Sequence, residues 1–200
     1  MTTEMPRIDQ GQYTLLELLP AQGEWDAHGY LWLSGQSPRL IELVDGHIEA
    51  VSMPTERHQS IVIYLLWVFR AYAKIIGGIA FIAPLRLQLW NQRFREPDVL
   101  LLCDANDSRR ASEFWTGADL VLEVVSLDDP KRDLVDKRVD YAQAGIPEYW
   151  IVNPINERIT VLQLHNDHYE VFGDWGRGEL ACSALLEHCS VSVSEVFDAE

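Results

Sequence analysis

Apolar residues recur along this chain in blocks of two lengths. From Glu56 to Ile76 they are dense enough for one long, largely buried helix, and Gly77-Gly78 supplies its stop. The other blocks have strand length. Residues 41–51 (IELVDGHIEAV) read as a hairpin, because Asp45-Gly46 suits a two-residue turn with positive φ. Residues 79–83 and 85–90 read as strands joined near Pro84, with a turn at Asn91-Gln92. Residues 99–103 (VLLLC) and 120–125 (LVLEVV) are continuous apolar runs, the pattern of strands covered on both faces. Residues 148–152 (EYWIV) predict another central strand, and residues 158–164 with 169–172 a closing hairpin. Pro130 opens a second helix, with Asp128 or Asp129 as its cap and Gly145 as its stop. A short helix with a capping box from Thr14 to Glu17 is predicted over residues 14–19. Strands mixed with two substantial helices predict an α/β fold around a central mixed sheet.

Nothing along the 200 residues divides them: no repeat, low-complexity tract or Gly/Ser linker interrupts the pattern, which predicts a single domain over residues 1–200. The N-terminus is polar, and the most apolar window, residues 61–69 (IVIYLLWVF), is less than half of what a spanning helix needs, roughly 20 residues. The expectation is a soluble protein with no membrane partner. Cys103, Cys182 and Cys189 have no metal-type spacing, which suits a reducing cytoplasm and no zinc knuckle. The tryptophans Trp67, Trp90, Trp115 and Trp150 sit mostly in apolar segments and are expected in the core.

Charge adds a constraint. The formal net charge of −15 repels phosphates at long range and argues against a general nucleic-acid coat, though not against a local phosphate site. Twelve of the 16 Lys and Arg lie between residues 51 and 150, a distribution that either gathers them on one face or leaves a solvated surface of mixed sign.

Within that segment three residues stand out. Glu123 has only apolar neighbours from Leu120 to Val125, where an ionised carboxylate is costly unless cations or donors surround it. It is read as a metal ligand or catalytic acid at the rim of the sheet, against the plainer role of a strand-edge Glu paired with an Arg. Asp98 directly precedes an apolar strand in REPDVLLL. Pro-Asp is by itself an ordinary turn dipeptide, but two carboxylates on rigid strands are what a hard divalent cation needs, with positions left for water and a phosphate. Lys137 follows on the next helix, four residues after Asp133. It is either a surface partner of Asp133 or Asp140, or an ammonium that stabilises developing negative charge beside the acids. The spacing of Leu134, Lys137, Arg138 and Tyr141 predicts that these four share one helix face.

EPDVLLL, then LVLEVVS, then DLVDKRVDYAQAGIPEYWIVNP, preceded by LIELVDGHIEAVSMPTERHQ, resembles the Uma (Uma-two) restriction endonuclease family of the PD-(D/E)xK nuclease superfamily, over roughly residues 40–155. The resemblance implies a restriction-endonuclease-like α/β core, with a central mixed sheet flanked by helices, an N-terminal elaboration and a C-terminal β-hairpin extension. It also implies metal-dependent phosphodiester hydrolysis of DNA, with Asp98 and Glu123 as ligands of Mg²⁺, or of Mn²⁺ as substitute. The superfamily's Lys two places after the second acid falls on Val125, and Lys137 occupies the displaced position. His47 stands where the family has an acid after its Asp-Gly turn, with Glu49 as a substitute, and His58 matches a family His, or else serves as a helix-cap or core histidine. Cleavage of both strands of a duplex favours a homodimer by symmetry. Two other functions stay open: a catalytically weak or inactive nucleic-acid- or protein-binding module on the same fold, and a hydrolase of a smaller phosphate ester.

Overall fold

The computed structural model describes residues 19–200, so the helix expected over residues 14–19 lies outside the described residues except for Leu19. In chain order these residues form α1 (Ala27–Gln36), the hairpin β1 (Ile41–Val44) and β2 (His47–Ala50), α2 (Glu56–Ile76), β3 (Ile79–Ile82), β4 (Arg86–Trp90) and β5 (Arg93–Arg95). Then follow β6 (Val99–Leu102), β7 (Phe114–Trp115), β8 (Leu120–Val124), a π turn (Arg132–Asp136) running into α3 (Lys137–Gln143), and β9 (Glu148–Asn153). The hairpin β10 (Arg158–His165) and β11 (His168–Trp175), then β12 (Leu180–Cys182), β13 (Ser190–Ser192) and α4 (Val193–Phe197), complete the chain.

The runs without polar alternation become the middle of a six-stranded sheet ordered β11-β10-β9-β8-β6-β3, in which only β8 and β9 are parallel. Its two faces are both covered. Val99, Leu101, Leu120, Leu122, Val124, Trp150 and Val152 pack under α2 and α4, while Leu100, Leu102, Val121, Val125, Tyr149 and Ile151 pack on the side of α3. Burial on both sides explains why these strands read as continuous apolar runs.

The fold is mixed α/β, as the pattern predicts, but it has two large sheets rather than one. A five-stranded sheet ordered β2-β1-β5-β4-β7 carries the N-terminal hairpin, and Tyr30 of α1, with Trp25 just before the helix, packs on it against Leu43 and Phe94. The predicted strands either side of Pro84 therefore belong to different sheets, and the chain crosses back between β5 and β6, at Glu96-Pro97-Asp98.

The helix ends obey their local signals. Thr55 caps α2 by accepting from His58 N–H, and Gly77 ends it in the left-handed region at φ 81°. One expectation about α2 is corrected. Its buried side is Ile61, Val62, Leu65, Phe69 and Ala73, but Ile63, Trp67 and Ile75 are exposed, so it is not largely buried and Trp67 is not a core residue. By length and composition alone, α2 is long and apolar enough to cross a membrane.

The predicted helix face is also corrected. Leu134 is solvent-exposed, and Asp133, Lys137, Asp140 and Tyr141 form the buried side instead. The cause is the π turn, in which Lys137 N–H donates to the carbonyl of Arg132 five residues back, so 3.6-residue spacing does not extend through it. The twelve central bases do not gather into a basic face. Arg57, Arg86, Arg93, Arg95, Arg109, Lys131, Arg132 and Lys137 each pair with a carboxylate, several of them inside the molecule.

Candidate active site

The antiparallel register of β6 and β8 pairs Val99 with Leu122 and Leu100 with Val121. Extended by one residue, it sets Asp98 opposite Glu123, and side-chain alternation gives both carboxylates the α3 side of the sheet. The crossing between the two sheets delivers Asp98 to this rim, where its Oδ2 accepts from Val124 N–H at 2.7 Å. The same oxygen lies 3.2 Å from His58 Nε2, on the first turn of α2. Oδ1 accepts no hydrogen bond among the described residues.

Glu123 is buried and held at both oxygens. Lys137 Nζ is 2.8 Å from Oε2, and the Tyr141 hydroxyl donates to Oε1 at 2.5 Å. Burial first, then the charges of Asp98 and Asp133, push the Glu123 carboxyl up to about 8 despite the opposing ammonium of Lys137. A carboxylate in this position is short of positive charge. Lys137 itself is buried against three acids, with Asp133 at 3.1 Å and Glu42 at 3.9 Å besides Glu123. Burial opposes its charge, but Glu123, Glu42 and Asp133 more than offset that and hold it protonated. For His58, burial is likewise outweighed by the hydrogen bond and charge of Asp98, so its pKa is raised, and its Nδ1 is buried without a partner among the described residues.

Behind this constellation lies a network that sequence patterning misses. Glu42 is fully buried on β1 and accepts from Arg95 Nη1 at 2.6 Å and from Glu96 N–H at 3.0 Å. Arg95 in turn donates to Asp140 through Nε and Nη2, at 2.9 and 2.6 Å. Glu49 sits directly across the hairpin from Glu42, one strand further out, where it accepts from Arg132 at 2.7 Å. The buried acid nearest Lys137 on this hairpin is therefore Glu42, not Glu49. An open cleft of about 580 Å³ is lined by the outer members of this network, including Glu49, Arg93, Arg95, Arg132 and Asp140.

Does this donor set suit the divalent cation that the acid pair implies? Among the described residues no three His, Cys, Asp or Glu side chains converge as a ready cage. Mg²⁺ does not require one, since it keeps several waters and takes one or two carboxylates. Asp98 offers an oxygen without a hydrogen bond, and Glu123 is charge-deficient beside it. The donors are hard oxygens on rigid strands, and they fit.

The model of the Uma2 family, described as "Putative restriction endonuclease", matches residues 10–187. No curated protein matches the chain. Among solved structures the chain is similar to one titled a putative nuclease belonging to DUF820 from Anabaena variabilis ATCC 29413. The two share 18% identity and a TM-score of 0.67, over 84% of this chain and 97% of that one, a likeness of fold. With residues 10–187 of its 200 matched, the chain belongs to the Uma2 family.

Proposed function

We propose that this protein is a metal-dependent endonuclease that hydrolyses phosphodiester bonds of DNA. The observation that carries the reading is the opposition of Asp98 and Glu123 across β6 and β8, with Lys137 Nζ 2.8 Å from Glu123. The reaction class described for its family, restriction endonuclease, and for its structural neighbour, nuclease, supports the same reading.

In this reading Asp98 and Glu123 hold Mg²⁺, or Mn²⁺ in its place, which when bound lowers the pKa of a water and neutralises charge on the phosphate. The chain's own groups do the rest. Tyr141 and Lys137 fix the rotamer of Glu123 by occupying one oxygen each. Asp133 and Glu42 keep Lys137 charged inside the protein, where an ammonium stabilises developing negative charge more than it does in water. Asp133 is itself held by Ser126 N–H at 3.0 Å, which anchors the helix start to the end of β8. His58 braces Asp98 from α2.

The full-length protein is assayed on plasmid DNA, RNA and a small phosphodiester with Mg²⁺ or Mn²⁺, beside Asp98→Asn. The expected result is metal-dependent DNA cleavage that falls by at least about a hundredfold in the variant. Cleavage of the small ester alone assigns the protein to smaller substrates, and unimpaired Asp98→Asn removes the acid pair from the mechanism. One observation favours a second reading, a binding module on the same fold. Most of the central bases are already paired with acids, leaving few cations for a phosphate backbone. DNA binding without cleavage under any metal would select it.

A further inference from the structure

The side of α2 that faces away from the six-stranded sheet is built like a seam. Ile63 and Trp67 are 51 and 73% exposed, opposite the side where Ile61, Leu65, Phe69 and Ala73 meet the core. At about 100° per residue, Glu56, Ser60, Ile63, Trp67, Arg70 and Lys74 fall on one stripe, at alternating four- and three-residue steps. That spacing is the a/d pattern of a coiled coil. Glu56, Arg70 and Lys74 make no ion pair among the described residues, unlike most of the central bases.

Reversed, the stripe is its own complement. Two copies crossed antiparallel about a twofold axis level with Leu65 bring Glu56 opposite the second copy's Lys74, Ser60 opposite Arg70, and Ile63 opposite Trp67. Each contact occurs twice, as an isologous interface requires. A parallel crossing would instead stack Glu56 on Glu56 and Lys74 on Lys74, a like-charge arrangement that the sequence penalises. We infer that the outer stripe of α2 is the contact face of a twofold dimer of this chain, with two layers of Ile63 and Trp67 at its centre and Glu56–Lys74 pairs at its ends. The inference stands apart from the catalytic reading, because it uses none of the site's side chains. With a short apolar centre the association is weak, with a dissociation constant on the order of micromolar, and it loosens with salt as its end charges are screened.

Sedimentation equilibrium of the full-length protein from roughly 1 to 200 µM brackets that constant. A monomer–dimer equilibrium is expected, weakened at least about tenfold by Trp67→Glu, a surface change that leaves the far-ultraviolet circular dichroism intact. Glu56→Lys and Lys74→Glu should each weaken the dimer, and the double variant Glu56→Lys/Lys74→Glu should restore it, because the swapped charges meet again only in the antiparallel register. A wild-type protein that stays monomeric throughout overturns the inference, as does association indifferent to Trp67→Glu. A double variant as weak as the singles overturns the register. Wild-type protein that remains monomeric but floats with phosphatidylglycerol vesicles, and loses that with Trp67→Glu, assigns the stripe to a membrane surface and overturns the dimer.

Discussion

Two buried glutamates on neighbouring parallel strands, Glu123 on β8 and Glu148 on β9, are used in opposite ways. Glu148 lies level with the start of β8, and its side chain faces away from α3. It accepts from Trp150 Nε1 at 2.6 Å, Ser183 Oγ at 2.7 Å, Ala184 N–H at 2.6 Å and Leu185 N–H at 2.7 Å. All four donors are neutral, three come from the loop after β12, and together they tie that loop to the sheet. Glu123, three residues along β8 and on the other face, is met by a cation and a phenol and looks across at a second acid. Burial raises the pKa of both. Burial of a carboxylate therefore does not mark chemistry. What it faces does: saturation by neutral donors is structural, while a deficit of positive charge beside another acid is a site.

The largest expected effect tests whether the Glu123 side is organised by charge. Lys137 serves Glu123, Asp133 and Glu42 at once from a buried position. Read from its spacing alone, it is a residue whose removal spares the fold. Its burial revises that expectation, because truncation strands three carboxylates without their ammonium. Lys137→Ala should cost about 3–5 kcal/mol in urea denaturation, the scale of breaking a buried ion pair. A cost below about 1 kcal/mol would place Lys137 among ordinary surface residues and dissolve the contrast between the two glutamates.

The next test sets one glutamate directly against the other. Glu123→Gln keeps the shape of the side chain and an acceptor for Tyr141, while Asp133 and Glu42 still compensate Lys137. Metal-dependent cleavage should fall at least about a hundredfold, and stability by about 1–3 kcal/mol, because the new amide turns N–H groups toward the Lys137 ammonium. Glu148→Gln should cost stability alone. Its new amide turns N–H groups toward those of Ala184 or Leu185, which costs about 1–3 kcal/mol for unsatisfied donors and leaves the activity of the folded fraction untouched. Equal loss of activity in both variants would mean that Glu148 also bears on the site.

How far these roles were legible in the sequence depends on what made each residue conspicuous. Glu123 interrupts an otherwise apolar run, and Pro97-Asp98 opens another, so both acids stand out, and the two runs are the strands that face each other. Glu42 carries the same signal, flanked by Ile41, Leu43 and Val44, but it lies in a hairpin, where one polar face is ordinary; only the packing of Arg95, Arg132 and Lys137 against it encloses it. Arg95 sits on β5, a three-residue strand too short to show a period. Asp133 and Asp140 look like surface partners of Lys137 at helical spacing, and the π turn that swings Asp133 inward and Leu134 outward has no periodic signature at all. Trp67 failed in the other direction, since an apolar helix face reads as core whether or not the fold supplies anything to cover it.

Glu42 is a third case, a buried carboxylate saturated by cations rather than by neutral donors, and it sharpens the comparison through pH. Burial alone would raise its pKa, but Lys137, Arg95 and Arg132 outweigh that and hold it at about 2, below the ordinary glutamate value of about 4.5. A carboxyl whose folded pKa is depressed contributes stability that is fully present above its unfolded value and is lost as pH falls through the folded one. The window for Glu42 therefore runs from about 4.5 down to about 2. Glu148, raised rather than lowered, contributes nothing of that sign. Glu42→Gln should be less stable than wild type at neutral pH, and the gap in Tm between them should narrow as pH falls from about 5 to about 2.5, because wild type alone forfeits this contribution on acidification. Glu148→Gln, melted over the same range, should show no such narrowing. A Glu42→Gln gap that stays constant with pH would mean that the three cations do not hold Glu42 ionised, and the network behind Lys137 would then be hydrogen-bonded rather than charge-balanced.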